Sequence, residues 1–150
     1  VYVGDSRAYL LRDASLSQIT RDDTLVQSLI DEGRLAPEDA RTHPQRSIVL
    51  RALTGHELDP SLATRKARVG DRYLLCSDGL SDVLPAHTLA EALRISDPQR
   101  CADRLVRLAL QAGSRDNVTC IVADVTDRDF GYDIPIVEGA AGQEGAPVRQ

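Results

Sequence analysis

Methionine is absent from all 150 residues, position 1 included. The chain opens instead on the apolar, strand-like run Val1-Tyr2-Val3, where natural termini tend to be polar and loosely held. The sequence therefore reads as a piece cut from something longer. Cysteine is also scarce. Cys76, Cys101 and Cys120 are an odd number at wide spacings, with no C-x-x-C pair and no histidine at zinc-ligand distance. That excludes a disulfide scaffold and a thiolate metal site, and it reads as reduced core residues in a cytoplasmic compartment. No run approaches the 18 or more apolar residues of a membrane span, and the start lacks the charged and apolar regions of a signal peptide. Positive charge is in deficit: 18 Lys plus Arg stand against 23 Asp plus Glu, a formal charge of −5, which excludes nucleic acid as a general partner.

What remains is 42% hydrophobic and 27% charged, the balance of one soluble globular domain. The first half predicts sheet, then helix. Val1–Val3, the turn Gly4-Asp5-Ser6-Arg7 and Ala8–Leu11 predict a hairpin, which a turn near Asp13-Ala14-Ser15 extends through 16–19 as an antiparallel meander. Leu25, Val26, Leu29 and Ile30 then fall at helical spacing, with Asp22, Asp23 or Thr24 to cap the start and Gly33 to close it. Pro37 opens a second helix and His43-Pro44 breaks the chain; residues 47–53 are apolar at mixed period, helix or extended.

In the second half, 62–67 and 72–76 around Val69-Gly70-Asp71 predict another hairpin. Its second strand, Tyr73-Leu74-Leu75-Cys76, is apolar enough to be central. Helices are expected at 79–84, 86–95 and 98–112, the last with Cys101, Leu105, Leu108, Ala109 and Ala112 on one stripe, followed by a strand over 118–125. From 127 to 150 the composition turns to Gly, Ala, Glu and Pro and predicts a linker or disordered tail, which leaves 1–126 as the domain.

Three acids sit beside strand ends: Asp5 just past one, Asp78 after the most apolar one, and Asp116 just before another. A carboxylate at the rim of a buried sheet is costly without a positive neighbour, and hard oxygen ligands suit Mg²⁺ or Mn²⁺. Each acid alone is ordinary turn chemistry. The histidines carry no catalytic reading: His43 precedes a break, His56 lies in a polar turn and His87 opens a helix. Arg7 reads as a brace for its turn rather than a phosphate ligand.

Taken in order, Val3-Gly4-Asp5-Ser6-Arg7-Ala8-Tyr9, Leu75-Cys76-Ser77-Asp78-Gly79-Leu80 and Ser114-Arg115-Asp116-Asn117-Val118-Thr119 resemble the metal-dependent protein serine/threonine phosphatases of type 2C. The match runs over about 1–126. It includes Thr42-His43-Pro44-Gln45-Arg46-Ser47 and Arg51-Ala52-Leu53-Thr54-Gly55, which look like the bacterial, kinase-opposing group.

The resemblance implies an α+β fold, a sandwich of two antiparallel sheets flanked by helices, of which this chain is the C-terminal portion lacking the N-terminal strands. It implies two to three Mn²⁺ or Mg²⁺ ions. Asp78 and Asp116 match ligands of the metal pair, Asp5 with Asp78 a third position, and Ser47 a flap serine near that third position, with 24–54 as the flap. For Ser47, local capping is the simpler alternative. No catalytic residue is implied beyond the metal ligands, and Asn117 orients the loop around Asp116. The implied reaction is hydrolysis of phosphoserine and phosphothreonine in proteins by a metal-bridged hydroxide. The implied partners are phosphorylated proteins, serine/threonine kinases and their substrates.

The family's remaining acids, its phosphate-binding arginine and its proton-donating histidine have no match after Val1, so the chain by itself is expected to be inactive and poorly folded. A membrane anchor beyond residue 150 would fit the group. The alternative is a non-catalytic relative that binds phosphoproteins or a kinase; retention of all three acids speaks against it.

Overall fold

The computed structural model describes residues 1–55 and 57–128. Four strands, β1 (Arg7–Arg12), β2 (Ser15–Gln18), β3 (Arg72–Cys76) and β4 (Cys120–Asp124), form one antiparallel sheet in the order β2-β1-β3-β4. Between the second and third strands lie α1 (Leu25–Asp31) and a 3-10 segment, Pro37–Thr42. Three helices, α2 (Asp78–Ser81), α3 (Ala86–Ala92) and α4 (Pro98–Gln111), follow β3 and return the chain to β4.

The helices cover one face of the sheet. Cys101, Leu105 and Ala109 of α4, spaced by four, are fully buried and meet Leu74, Leu80, Leu89 and Leu93 in a single core. Leu74 has this face of β3, and Leu75 beside it points the other way, as strand alternation demands. Leu75 is 47% exposed and its register partner Ile121 58% exposed, so the second face of the sheet stands open. The α+β class and the antiparallel sheet are as expected; the second sheet of the sandwich has no counterpart among the described residues.

The β1–β2 connection is two residues long, Asp13-Ala14, both at positive φ (50° and 62°). Primed hairpin turns require this, and Asp tolerates it better than Ala. Ala14→Gly is expected to stabilise the fold by about 1 kcal/mol, which a urea unfolding midpoint would register. At the same end of the sheet, Arg72 is buried with its guanidinium donating to Asp124 (2.5 and 2.6 Å) and to the carbonyls of Leu93 (2.9 Å), Ile95 and Ser96 (2.7 Å). It fixes the end of α3 against β4.

Two expected hairpins are not there. Tyr2 does not pair with 8–11; it exchanges both backbone hydrogen bonds with Ser61, each 3.0 Å. Residues 62–68 form no strand, and Leu62 is 75% exposed. The central position of β3 is as expected, and it explains the second miss. Both edges of β3 are taken by β1 and β4, which offer Tyr9, Leu10, Leu11, Ile121 and Val122, whereas 62–67 offers one large aliphatic beside Arg65 and Lys66. Residues 47–53 are irregular apart from a single bridge, Val49 to Thr24. The cap of α1 is Thr24, whose Oγ1 accepts from the Gln27 N–H at 3.3 Å, not Asp22 or Asp23. The expected tail lies outside the described residues from 129 onward, as does His56. Among the described residues, no helix is long and apolar enough to cross a membrane.

Candidate active site

A cavity of about 750 Å³ opens at the end of the sheet where the β3–α2 and α4–β4 connections meet the loop before β1. Asp5, Ser47, Asp78 and Asp116, the four residues singled out in the sequence, all line it. They come from four separate stretches of chain. Three local arrangements place the acids.

Asp5 sits on a loop shaped by Gly4, at φ +91°, a backbone state that glycine enters freely. The Gly4 N–H donates to the Asp23 carboxylate at 3.0 Å and Asp23 N–H returns a bond to the Gly4 carbonyl at 2.9 Å. Beside it, Arg7 forks onto Asp22 at 2.6–3.1 Å, so Arg7 is engaged within the protein as a brace. Asp22 and Asp23 are both buried. Their task is to hold this loop, which the sequence reading took for helix capping.

Asp78 begins α2 directly after β3 and its Oδ1 accepts from the Gly79 N–H at 2.8 Å. Asp116 makes the same local turn, accepting from the Asn117 N–H at 2.7 Å. The two loops are tied to each other. Ser77 Oγ donates to the Asn117 carbonyl (3.0 Å) and accepts from the Thr119 N–H (3.1 Å), while Ser114 Oγ donates to the Gly79 carbonyl (2.7 Å). At Gly79 the backbones touch: a Cβ there would overlap the Asn117 carbonyl oxygen and lie 3.0 Å from its carbon.

Asp5, Asp22, Asp78, Asp82 and Asp116 crowd this cavity together with Arg7, Arg41, Arg46 and Arg115. Burial, and then the neighbouring Asp78, push the Asp5 carboxyl above its ordinary range. Asp82, four residues after Asp78 and on the same helical face, is likewise raised, by desolvation first, with Arg7 opposing and Asp78 adding. The sequence reading missed Asp82, although the i, i+4 spacing on a helix was the available signal. It also missed Ser81, whose buried hydroxyl lines the cavity with no hydrogen-bond partner. Two carboxyls raised by burial and by the neighbouring Asp78, together with an unpartnered hydroxyl, fit a divalent cation with hard oxygen ligands. Among the described residues, no three His, Cys, Asp or Glu side chains converge closely enough to hold an ion by themselves.

Other candidates fall away. His43 Nδ1 accepts from the Gln45 N–H in a local turn, and His87 lies in the first turn of α3. Cys76 and Cys101 are buried and Cys120 half-buried, all free; burial pushes the Cys76 thiol up to about 12.

No family model matches the chain. Known proteins do. Over 140 residues it is 60% identical to the serine/threonine protein phosphatase PstP of Mycobacterium tuberculosis, a span of 93% of this chain and 27% of that protein. Over 132 residues it is 34% identical to the protein phosphatase PhpP of Streptococcus pneumoniae, covering 85% of this chain and 53% of the relative. The crystal structure of M. tuberculosis PstP superposes with a TM-score of 0.81 at 60% identity, over 83% of this chain and 53% of that one. Over most of its length the chain is homologous to part of the bacterial serine/threonine protein phosphatases. It spans about a quarter to a half of these relatives. A second PstP structure, its catalytic domain with 2 manganese ions, matches at a TM-score of 0.77 and 58% identity, over 83% of this chain and 52% of that one.

Proposed function

We propose that the full-length protein containing this sequence hydrolyses phosphoserine and phosphothreonine in other proteins with Mn²⁺ or Mg²⁺ as cofactor. The observation that carries the reading is the convergence of Asp5, Asp78 and Asp116, far apart in sequence, on one cavity. In this reading Asp78 and Asp116 ligate a metal pair, Asp5 joins Asp78 at a third position, and Ser47 approaches that position from the flap, 24–54. Bound divalent ions supply positive charge that offsets the phosphoryl oxygens and acidifies water. The chain's own residues do the positioning. The Ser77 and Ser114 hydroxyls keep the loops of Asp78 and Asp116 in register, and the Arg7–Asp22 and Gly4–Asp23 pairs hold Asp5 at the rim. The structural relatives' manganese and the hard-oxygen character of the cavity support the choice of metal.

The substrates in this reading are phosphorylated proteins, protein kinases among them, and the three free thiols favour a cytoplasmic setting. Residues 1–126 are the C-terminal portion of the catalytic domain. The test is phosphate release from phosphoserine and phosphothreonine peptides by the full-length protein. Release in MnCl₂ that EDTA abolishes and added Mn²⁺ restores is the expected result; release that survives EDTA, or none at all with Mn²⁺, contradicts the reading.

A further inference from the structure

Residues 36–47 carry Ser47 to the cavity, yet they are held to the rest of the protein by very little. Beyond Ser47 the chain is tied to the start of α1, the Ile48 carbonyl accepting from the Leu25 N–H at 2.9 Å and the Leu50 N–H donating to the Asp23 carbonyl at 2.7 Å. Among the described residues, the hydrogen bonds of 36–47 are local, with one exception: Arg41. Its Nη2 donates to the carbonyl oxygens of Ser81, Asp82 and Leu84, each at 3.1 Å, forty or more residues away in sequence. These carbonyls lie at and just beyond the end of α2, the single-turn helix that begins with Asp78.

The end of α2 needs such a donor. A helix leaves its last carbonyls without intrahelical partners. The Ser81 carbonyl would bond residue 85 if the helix continued, and residue 85 is proline, which has no N–H. A cation at a helix C-terminus is also favoured by the aligned peptide dipoles. Arg41 makes no ion pair with a carboxylate among the described residues, so its charge is directed at these carbonyls. Arg41, Ser47, Asp78, Ser81 and Asp82 line the same cavity.

We propose that Arg41 is a positioning residue that latches the flap to the ligand-bearing helix and so sets how closely Ser47 and its neighbours approach a phosphoprotein bound at the acids. The inference rests on the phosphatase reading for its effect on substrate, and on the three carbonyl contacts for the latch itself. Arg41 touches no reacting atom. Its loss acts through the flap, on substrate affinity more than on turnover.

The experiment uses the full-length protein and two variants, Arg41→Ala and Arg41→Lys. Lysine is the informative rescue, because one ammonium offers three donors, and here the three carbonyls surround a single guanidinium nitrogen and share its two hydrogens. Amide hydrogen exchange over 39–46, measured without metal or substrate, is expected to quicken about tenfold or more in Arg41→Ala while amides of α4 keep their protection. With a phosphothreonine peptide and Mn²⁺, KM is expected to rise about tenfold with kcat within about threefold. Arg41→Lys is expected to recover most of both. Unchanged exchange over 39–46 in Arg41→Ala overturns the latch, as does a lysine variant no better than alanine. Quickened exchange with unaltered KM overturns the role in substrate positioning. A wild-type protein that hydrolyses no phosphopeptide contradicts the function, and the exchange result still decides the latch.

Discussion

Gly79→Ala is expected to lower stability by roughly 1–3 kcal/mol and to weaken metal binding and turnover about a hundredfold, through one added methyl group. Gly79 is buried and its φ is ordinary, so the residue is not glycine for reasons of backbone conformation. Space is the reason. The methyl would overlap the Asn117 carbonyl and press on Asp116, 3.4 Å from its carbonyl carbon. Neither neighbour is a flexible side-chain tip that can swing aside. Relief requires the loop carrying Asp116 to move away from the helix carrying Asp78, which stretches the Ser77–Asn117 and Ser114–Gly79 hydrogen bonds together. Half-saturation by Mn²⁺ and the melting temperature of the full-length variant check both halves of this prediction.

Asp78→Asn is expected to reduce kcat/KM by about a thousandfold or more, with little change in fold. The amide oxygen keeps the local bond from the Gly79 N–H, so the backbone turn survives. What disappears is the negative charge at the one residue assigned to both the metal pair and the third position. Asp5→Asn, which touches the third position alone, should cost less, about tenfold. Equal losses at the two positions would contradict the division of roles. Kinetics across a range of Mn²⁺ concentrations separates a ligand from a merely structural acid, since a lost ligand shifts the metal dependence.

Much of this was legible in the chain because local chemistry and tertiary contacts agree there. The α4 stripe Cys101, Leu105, Ala109 reads directly at helical spacing and is the buried stripe. The apolar run 73–76 reads as central and is central. The cavity acids lie at strand ends, where their turn residues announce them. What was hidden is pairing. Nothing local says that Tyr2 bonds Ser61, or that β3 passes over its sequence neighbour 62–67 in favour of β1 and β4. The choice depends on competition between distant segments for two edges, which a window of residues does not contain. Asp22 and Asp23 were misread for the same reason: they have the composition of a helix cap, and their partners Arg7 and Gly4 lie fifteen and nineteen positions away.

Binding of Mn²⁺ to the full-length protein, followed by titration calorimetry, tests the central claim most directly. The claim is that Asp5, Asp78 and Asp116 act as one ion-holding set. Wild type should take up two or more ions, Asp78→Asn and Asp116→Asn should each lose uptake at the metal pair, and Asp5→Asn should lose only the weakest site. Unchanged uptake in both Asp78→Asn and Asp116→Asn would contradict the account.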